Sequence, residues 1–122
     1  MIRGTVNARL EAVVRLRLRG PGGESDVDAI IDSGFTSSLT LLATMITALG
    51  LVRQTGGIAR LGDGSVCQYD TFAAEVDWGG TWRAVLVTAV GNESLLGMKL
   101  LAGHKLVIDV VLGGLVEILP LP

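Results

Sequence analysis

The chain of 122 residues has a formal net charge of −2, is 49% hydrophobic, and carries 17 glycines against 3 prolines. That length fits one domain, residues 1–122, or one subunit of a larger assembly, and so small a charge argues against nucleic-acid binding. A single cysteine, Cys67, excludes an internal disulfide; no signal peptide and no segment of membrane-spanning length is visible, so a soluble cytoplasmic domain without membrane partners is expected. Short Val, Leu and Ile runs separated by glycines predict a mainly β fold.

In chain order, residues 8–19 read as a strand, with Val14, Leu16 and Leu18 on one face and Arg15, Arg17 and Arg19 on a solvated one. Residues 20–25, Gly-Pro-Gly-Gly-Glu-Ser, form a turn, and the next strand returns as the second arm of a hairpin. Ala29, Ile30 and Ile31 in that strand are expected to be buried on both sides. The strand delivers Asp32, a carboxylate at the edge of the core that is costly without partners or a purpose. Ser33 offers a hydroxyl for local bonds, and Gly34 is expected to adopt backbone angles that a Cβ disfavours. Taken alone, Asp-Ser-Gly is also an ordinary turn.

Residues 37–41 continue as a short strand. Leu42, Met45, Ile46 and Leu49 then have the spacing of a helix face packed on the core, ended by Gly50. Residues 58–61 and 65–69 are two strands about a mobile Gly62-Asp63-Gly64 tip, either a surface hairpin or a flap over a ligand. Cys67 reads as a small packed residue. Two further strands, 73–78 and 81–90, meet at Gly79-Gly80, where Trp78 and Trp82 cover the end of the sheet. Ser94-Leu95-Leu96-Gly97-Met98 repeats the pattern of an apolar strand ending at glycine. A helical turn over 98–102 ends at Gly103, His104 sits on the surface in a turn, and strands are expected over 106–110 and 115–119.

Asp32-Ser33-Gly34 after an apolar strand resembles the Asp-Thr/Ser-Gly signature of aspartic proteases. The order of features is similar to the prokaryotic, single-domain, retropepsin-like branch. The resemblance is carried by Phe35, Leu39-Thr40-Leu41, Leu49-Gly50-Leu51, the Gly62-Asp63-Gly64 tip, Leu95-Leu96-Gly97-Met98 with Leu100-Leu101, and Gly113-Gly114 before Val116 and Ile118. It spans nearly the whole chain. The departures are Ser33 in place of the commoner threonine and Gly62 in place of a flap alanine.

What the resemblance implies is a retropepsin-like β-barrel with one or two short helices, working as a homodimer and cutting peptide or protein substrates. Asp32, Ser33 and Gly34 would form the catalytic turn. Leu61, Gly62, Asp63 and Gly64 of the flap, with Phe35, Leu95 and Leu96, would bind substrate. No metal or cofactor is implied. The chemistry needs two carboxylates on one water, and the second half ends its strand at Leu96-Gly97 without an acid. Two copies are therefore required, each giving one Asp32 at a twofold axis. Such a pair shares one proton, so activity is expected on the acid side of neutral. Ser33 would bond across the dimer, and the apolar tail, residues 115–121, would supply the interface. The alternatives are a catalytically silent dimer that binds peptides or proteins, a metal-dependent enzyme using Asp32 with Asp63 or Asp28, and a small β-barrel subunit whose glycines are only structural. The last two are less favoured, the metal enzyme because no ligand spacing is present.

Overall fold

Alternation along Val14-Arg15-Leu16-Arg17-Leu18 decides the first layer. In the computed structural model Val14, Leu16 and Leu18 are buried to 1% exposure or less, and the arginines between them face solvent. The structure describes the backbone of residues 1–60, 63–64 and 66–122, and the side chains of these except 55–60 and 66–69. The described elements, in chain order, are β1 (Ile2–Val6), β2 (Ala12–Gly20), β3 (Gly23–Ile31), β4 (Leu39–Thr40), α1 (Ala43–Ala48), β5 (Val52–Arg60), β6 (Val66–Trp78), β7 (Thr81–Thr88), β8 (Leu95–Leu96), α2 (Met98–Leu101), β9 (His104–Ile108) and β10 (Leu115–Pro120). None of the described helices is long and apolar enough to cross a membrane.

Six strands close a barrel in the order β2-β6-β7-β4-β8-β3, and β1, β10 and β9 extend the sheet from the other half of β2. Strand partners run from Leu18 through Val76 to Arg83, then four residues along β7 to Val87, and on through Leu39 and Leu96 to Ile31. The circuit returns to β2 opposite Ala12, six residues before Leu18, a shear of ten residues. So large a shear in a barrel of six strands requires steep tilt and a tightly filled interior. Leu16, Leu18, Leu39, Val76, Val87 and Leu96 fill it.

The barrel consists of two similar halves. The order β2-β3-β4-α1 is repeated as β6-β7-β8-α2. Each half lends its third strand to the other, because β8 runs parallel to β3 and β4 runs parallel to β7. This interlock gives Asp32, one residue past β3, its counterpart at the end of β7, around Thr88 and Ala89. The equivalent of the Asp32 strand is therefore β7, not the Leu96-Gly97 strand expected from sequence. Neither Thr88 nor Ala89 is an acid.

Several boundaries differ from expectation for identifiable reasons. The first hairpin turns on Pro21 and Gly22 alone, with the following Gly23 at φ +138°. Only Ala29 of Ala29-Ile30-Ile31 is fully buried, since β3 has one core face and one outer face. β6 is one continuous strand of 13 residues, because nothing in Asp70-Thr71-Phe72 breaks it. Leu42 precedes α1 and is 40% exposed, so it is not part of that helix's packed face. Residues 115–121 do not offer a free strand. β10 is hydrogen-bonded to β1 on one side and β9 on the other.

Candidate functional site

Asp32 is held by its backbone before its side chain is considered. Ile30 N–H donates to Ser94 O (2.8 Å) and Asp32 N–H donates to Leu96 O (2.9 Å), which ties the end of β3 to β8. Phe35 N–H closes the turn onto Asp32 O (3.1 Å). Gly97, Met98 and Lys99 then donate their N–H groups to the carbonyls of Ser38, Phe35 and Ser37. The segment after the acid is thereby stapled to the start of α2. Gly97 makes this approach possible, since a Cβ there would lie 2.1 Å from Ser37 O and 2.6 Å from the Phe35 ring. Thr40, 2% exposed, completes the frame. Its hydroxyl donates to Glu93 O (2.9 Å) and accepts from Leu95 N–H (2.8 Å). The sequence reading missed Thr40 as a structural hydroxyl, although its place in Leu39-Thr40-Leu41, a polar side chain between two buried leucines, was the available signal.

The carboxylate of Asp32 is half-buried, and its Oδ1 accepts from Gly34 N–H (2.9 Å). Oδ2 has no hydrogen-bond partner among the described residues. Gly34 is not in the left-handed region, contrary to expectation. Its lack of a side chain matters for space instead, because a Cβ would stand 3.3 Å from Asp32 Oδ1. Ser33 and Gly34 are exposed and Phe35 is half-buried. Leu95 is half-buried beside Ile30, its register partner on β3. Leu96 is fully buried, and what it offers Asp32 is its backbone carbonyl. The turn thus brings together Asp32, Gly34 and Phe35, with Leu95 on the neighbouring strand beside Ile30 and Ser33 facing solvent.

The β5–β6 hairpin leaves the barrel where Thr71 pairs with Thr88, next to Thr40 on β4. Five further pairs, from Gly56 with Asp70 to Arg60 with Val66, carry it about 17 Å beyond that rung. Asp63 and Gly64 are exposed at its tip, with Gly64 at φ +86°. Leu61, Gly62 and the side chain of Cys67 lie outside the described residues.

The remaining candidates have structural partners. Arg15 forms an ion pair with Asp28 (2.9 Å), Arg17 with Glu24 and Asp26, and Arg19 with Glu75 (3.0 Å). The Arg15 guanidinium hydrogen-bonds to Asp28 and holds its carboxyl below the ordinary 3.8, and Arg19 likewise lowers Glu75 from 4.5. Trp82 carries the Arg19 guanidinium 4.1 Å above its ring. Trp78 donates from Nε1 to Nε2 of His104 (3.1 Å), leaving the His104 proton on Nδ1, toward Ala102 O. His104 opens β9 as the edge-on partner of Trp78; it does not sit in a turn. A groove of about 450 Å³, lined by Arg19, Pro21, Val52, Ala73, Glu75 and Ala84 among others, includes no residue of the Asp32 turn, and its two charged groups are paired with each other. Among the described residues no group of three His, Cys, Asp or Glu side chains could hold a metal ion.

A scan against protein-family models and a search of the curated proteins each found no match. Neither comparison supports the likeness to retropepsin-like enzymes, which rests on the motifs quoted from the sequence.

Proposed function

We propose that the chain is one half of a homodimeric, retropepsin-like aspartic endopeptidase, with Asp32 of two copies facing one water. The observation that carries this reading is the Asp32 turn. A carboxylate is fixed at the end of a barrel strand by a backbone N–H on one oxygen, with its other oxygen unpartnered among the described residues, on a frame stapled at both flanks. Two such carboxylates about 3 Å apart hold one proton between them. The ionised oxygen takes a proton from the water as it attacks the peptide carbonyl, the protonated one donates to the carbonyl oxygen, and a proton then passes to the leaving nitrogen. The end of β7 in the second half carries Thr88 and Ala89 and no acid, which supports the need for a second chain. Leu95, with Ile30 beside it, would receive apolar substrate side chains, and the β5–β6 hairpin would close as a flap and add backbone bonds to an extended peptide.

The test is cleavage of a mixed, unstructured peptide library between about pH 4 and pH 7, where a shared-proton pair titrates, read by mass spectrometry beside Asp32→Asn. Cuts made by the native chain and missing from Asp32→Asn are the expected result. A dimeric native protein that makes no cuts overturns the enzyme reading.

A further inference from the structure

The outer face of the layer formed by β10, β1, β2 and β3 changes character along its length. One row across it is charged, with Arg3 beside Glu117 (3.8 Å) and Arg15 beside Asp28 (2.9 Å). Two residues nearer Asp32 the row reads Leu115, Thr5, Val13, Ile30 by register. None of those three aliphatic side chains belongs to the packed core or to the residues packed against it. Beyond this row stand two loops. The β1–β2 turn presents Leu10, 56% exposed, and the β9–β10 loop presents Val110, Val111 and Leu112, 61–69% exposed.

Both loops are firmly built. Val6 exchanges backbone bonds with Gly113 and Gly114, and Asn7 Oδ1 accepts from Arg9 and Glu11 N–H groups. Val111 N–H donates to Asp109 O, and a Cβ on Gly114 would lie 1.8 Å from that same oxygen. Leu10 is held at φ +60°, the one non-glycine residue described with positive φ, at a cost of about 1–2 kcal/mol. A strained leucine and three consecutive aliphatics held in water form a patch of the kind that marks an interaction surface.

We infer that this apolar end, built from Leu10, Val110, Val111, Leu112 and Leu115, is the contact through which two copies of the chain pair. Arg9 and Asp109 are exposed at its rim, and neither has an ion-pair partner within the described residues. In an isologous contact Arg9 of one copy meets Asp109 of the other twice over, so the patch is complementary to itself. Five aliphatic side chains present on the order of 400 Å² per copy. Two copies together fall just below the roughly 1,000 Å² of a specific contact, and the adjoining Val13 brings the area to that scale. A dimer of that size exchanges, with a dissociation constant on the order of micromolar. The choice of a second copy as occupant rests on the aspartic protease reading, which needs two Asp32 turns side by side. The patch lies at the right end, since Asp32 is two residues past Ile30, which pairs with Val13, and Val13 pairs with Thr5.

Sedimentation of the full chain between about 1 and 100 µM tests this. The native chain is expected to show a concentration-dependent monomer–dimer equilibrium. Val111→Asp should weaken it at least about 10-fold, the equivalent of one valine withdrawn from burial. Arg9→Asp and Asp109→Arg should each weaken it about 2- to 5-fold, and the two together should restore it. A native monomer throughout, a dimer indifferent to Val111→Asp, or a double variant no better than the single ones overturns the inference. Should Val111→Asp fail to fold, the charge-reversal pair decides. A dimer that behaves as expected but cuts nothing leaves this contact standing and removes the protease reading. An active dimer untouched by these variants does the reverse.

Discussion

The Asp32 side chain is held in place by residues outside its own turn. Thr40 is the most sharply testable of them. Thr40→Val keeps the shape but leaves Glu93 O and Leu95 N–H, both bonded to the hydroxyl, without their partner. Loss of about 1–3 kcal/mol in urea unfolding is expected, with peptide cleavage falling alongside it as Leu95 loosens next to Ile30. An unchanged midpoint would show that the hydroxyl is not structural. Gly97→Ala should cost at least about 1–3 kcal/mol by the same measurement, because the obstruction at 2.1 Å is backbone and cannot swing away. The sequence made Asp32 legible through its apolar approach and its Ser33-Gly34 exit. It did not reveal why Gly34 is glycine, since the reason is a carboxylate oxygen brought back over the turn, a distance rather than a propensity. Nor did it mark Leu96 as a purely interior residue, because alternation over a strand of two residues carries no period.

At the scale of elements, local chemistry was read well where it was local. Gly50 ends α1 at φ +60°, with Gly50 N–H donating to Thr47 O and Leu51 N–H to Ile46 O, the paired bonds of a Schellman motif. Gly50→Ala should therefore destabilise by about 1–2 kcal/mol in thermal or urea melts. The outer face of β2, β3 and β6 carries a ladder of ion pairs whose pH dependence has a definite sign. Asp28 and Glu75 bind protons more weakly folded than unfolded, so their contribution is complete above about pH 5 and is lost as pH falls through their lowered folded values. The melting temperature should decline on acidification below about pH 5. It should decline less in a chain carrying Arg15→Ala and Arg19→Ala. The effect is small because the pairs face solvent. Long-range pairing was not legible. β1 escaped notice because Ile2-Arg3-Gly4-Thr5-Val6 is short and interrupted by glycine, and β10 read as a spare edge because nothing in its own sequence shows that β1 and β9 occupy both sides.

For the whole molecule, the interlocked halves set the functional problem. β3 and β7 hold corresponding places, yet one is followed by Asp32 and the other by Ala89. Under the aspartic protease reading proposed above, a chain with twofold character but a single acid at this place needs the matching acid from another chain. Activity per chain should then rise with concentration until the dimer is saturated, as read by initial rates over a dilution series. The sharpest single measurement mixes native chain with Asp32→Asn at constant total concentration and follows peptide cleavage after subunit exchange. If both subunits must supply the acid, an equal mixture retains about one quarter of the native rate, because only native–native pairs cut. A rate that falls only in proportion to the native chain, to about one half, would mean that each chain carries a complete site and would contradict a dyad shared between two copies.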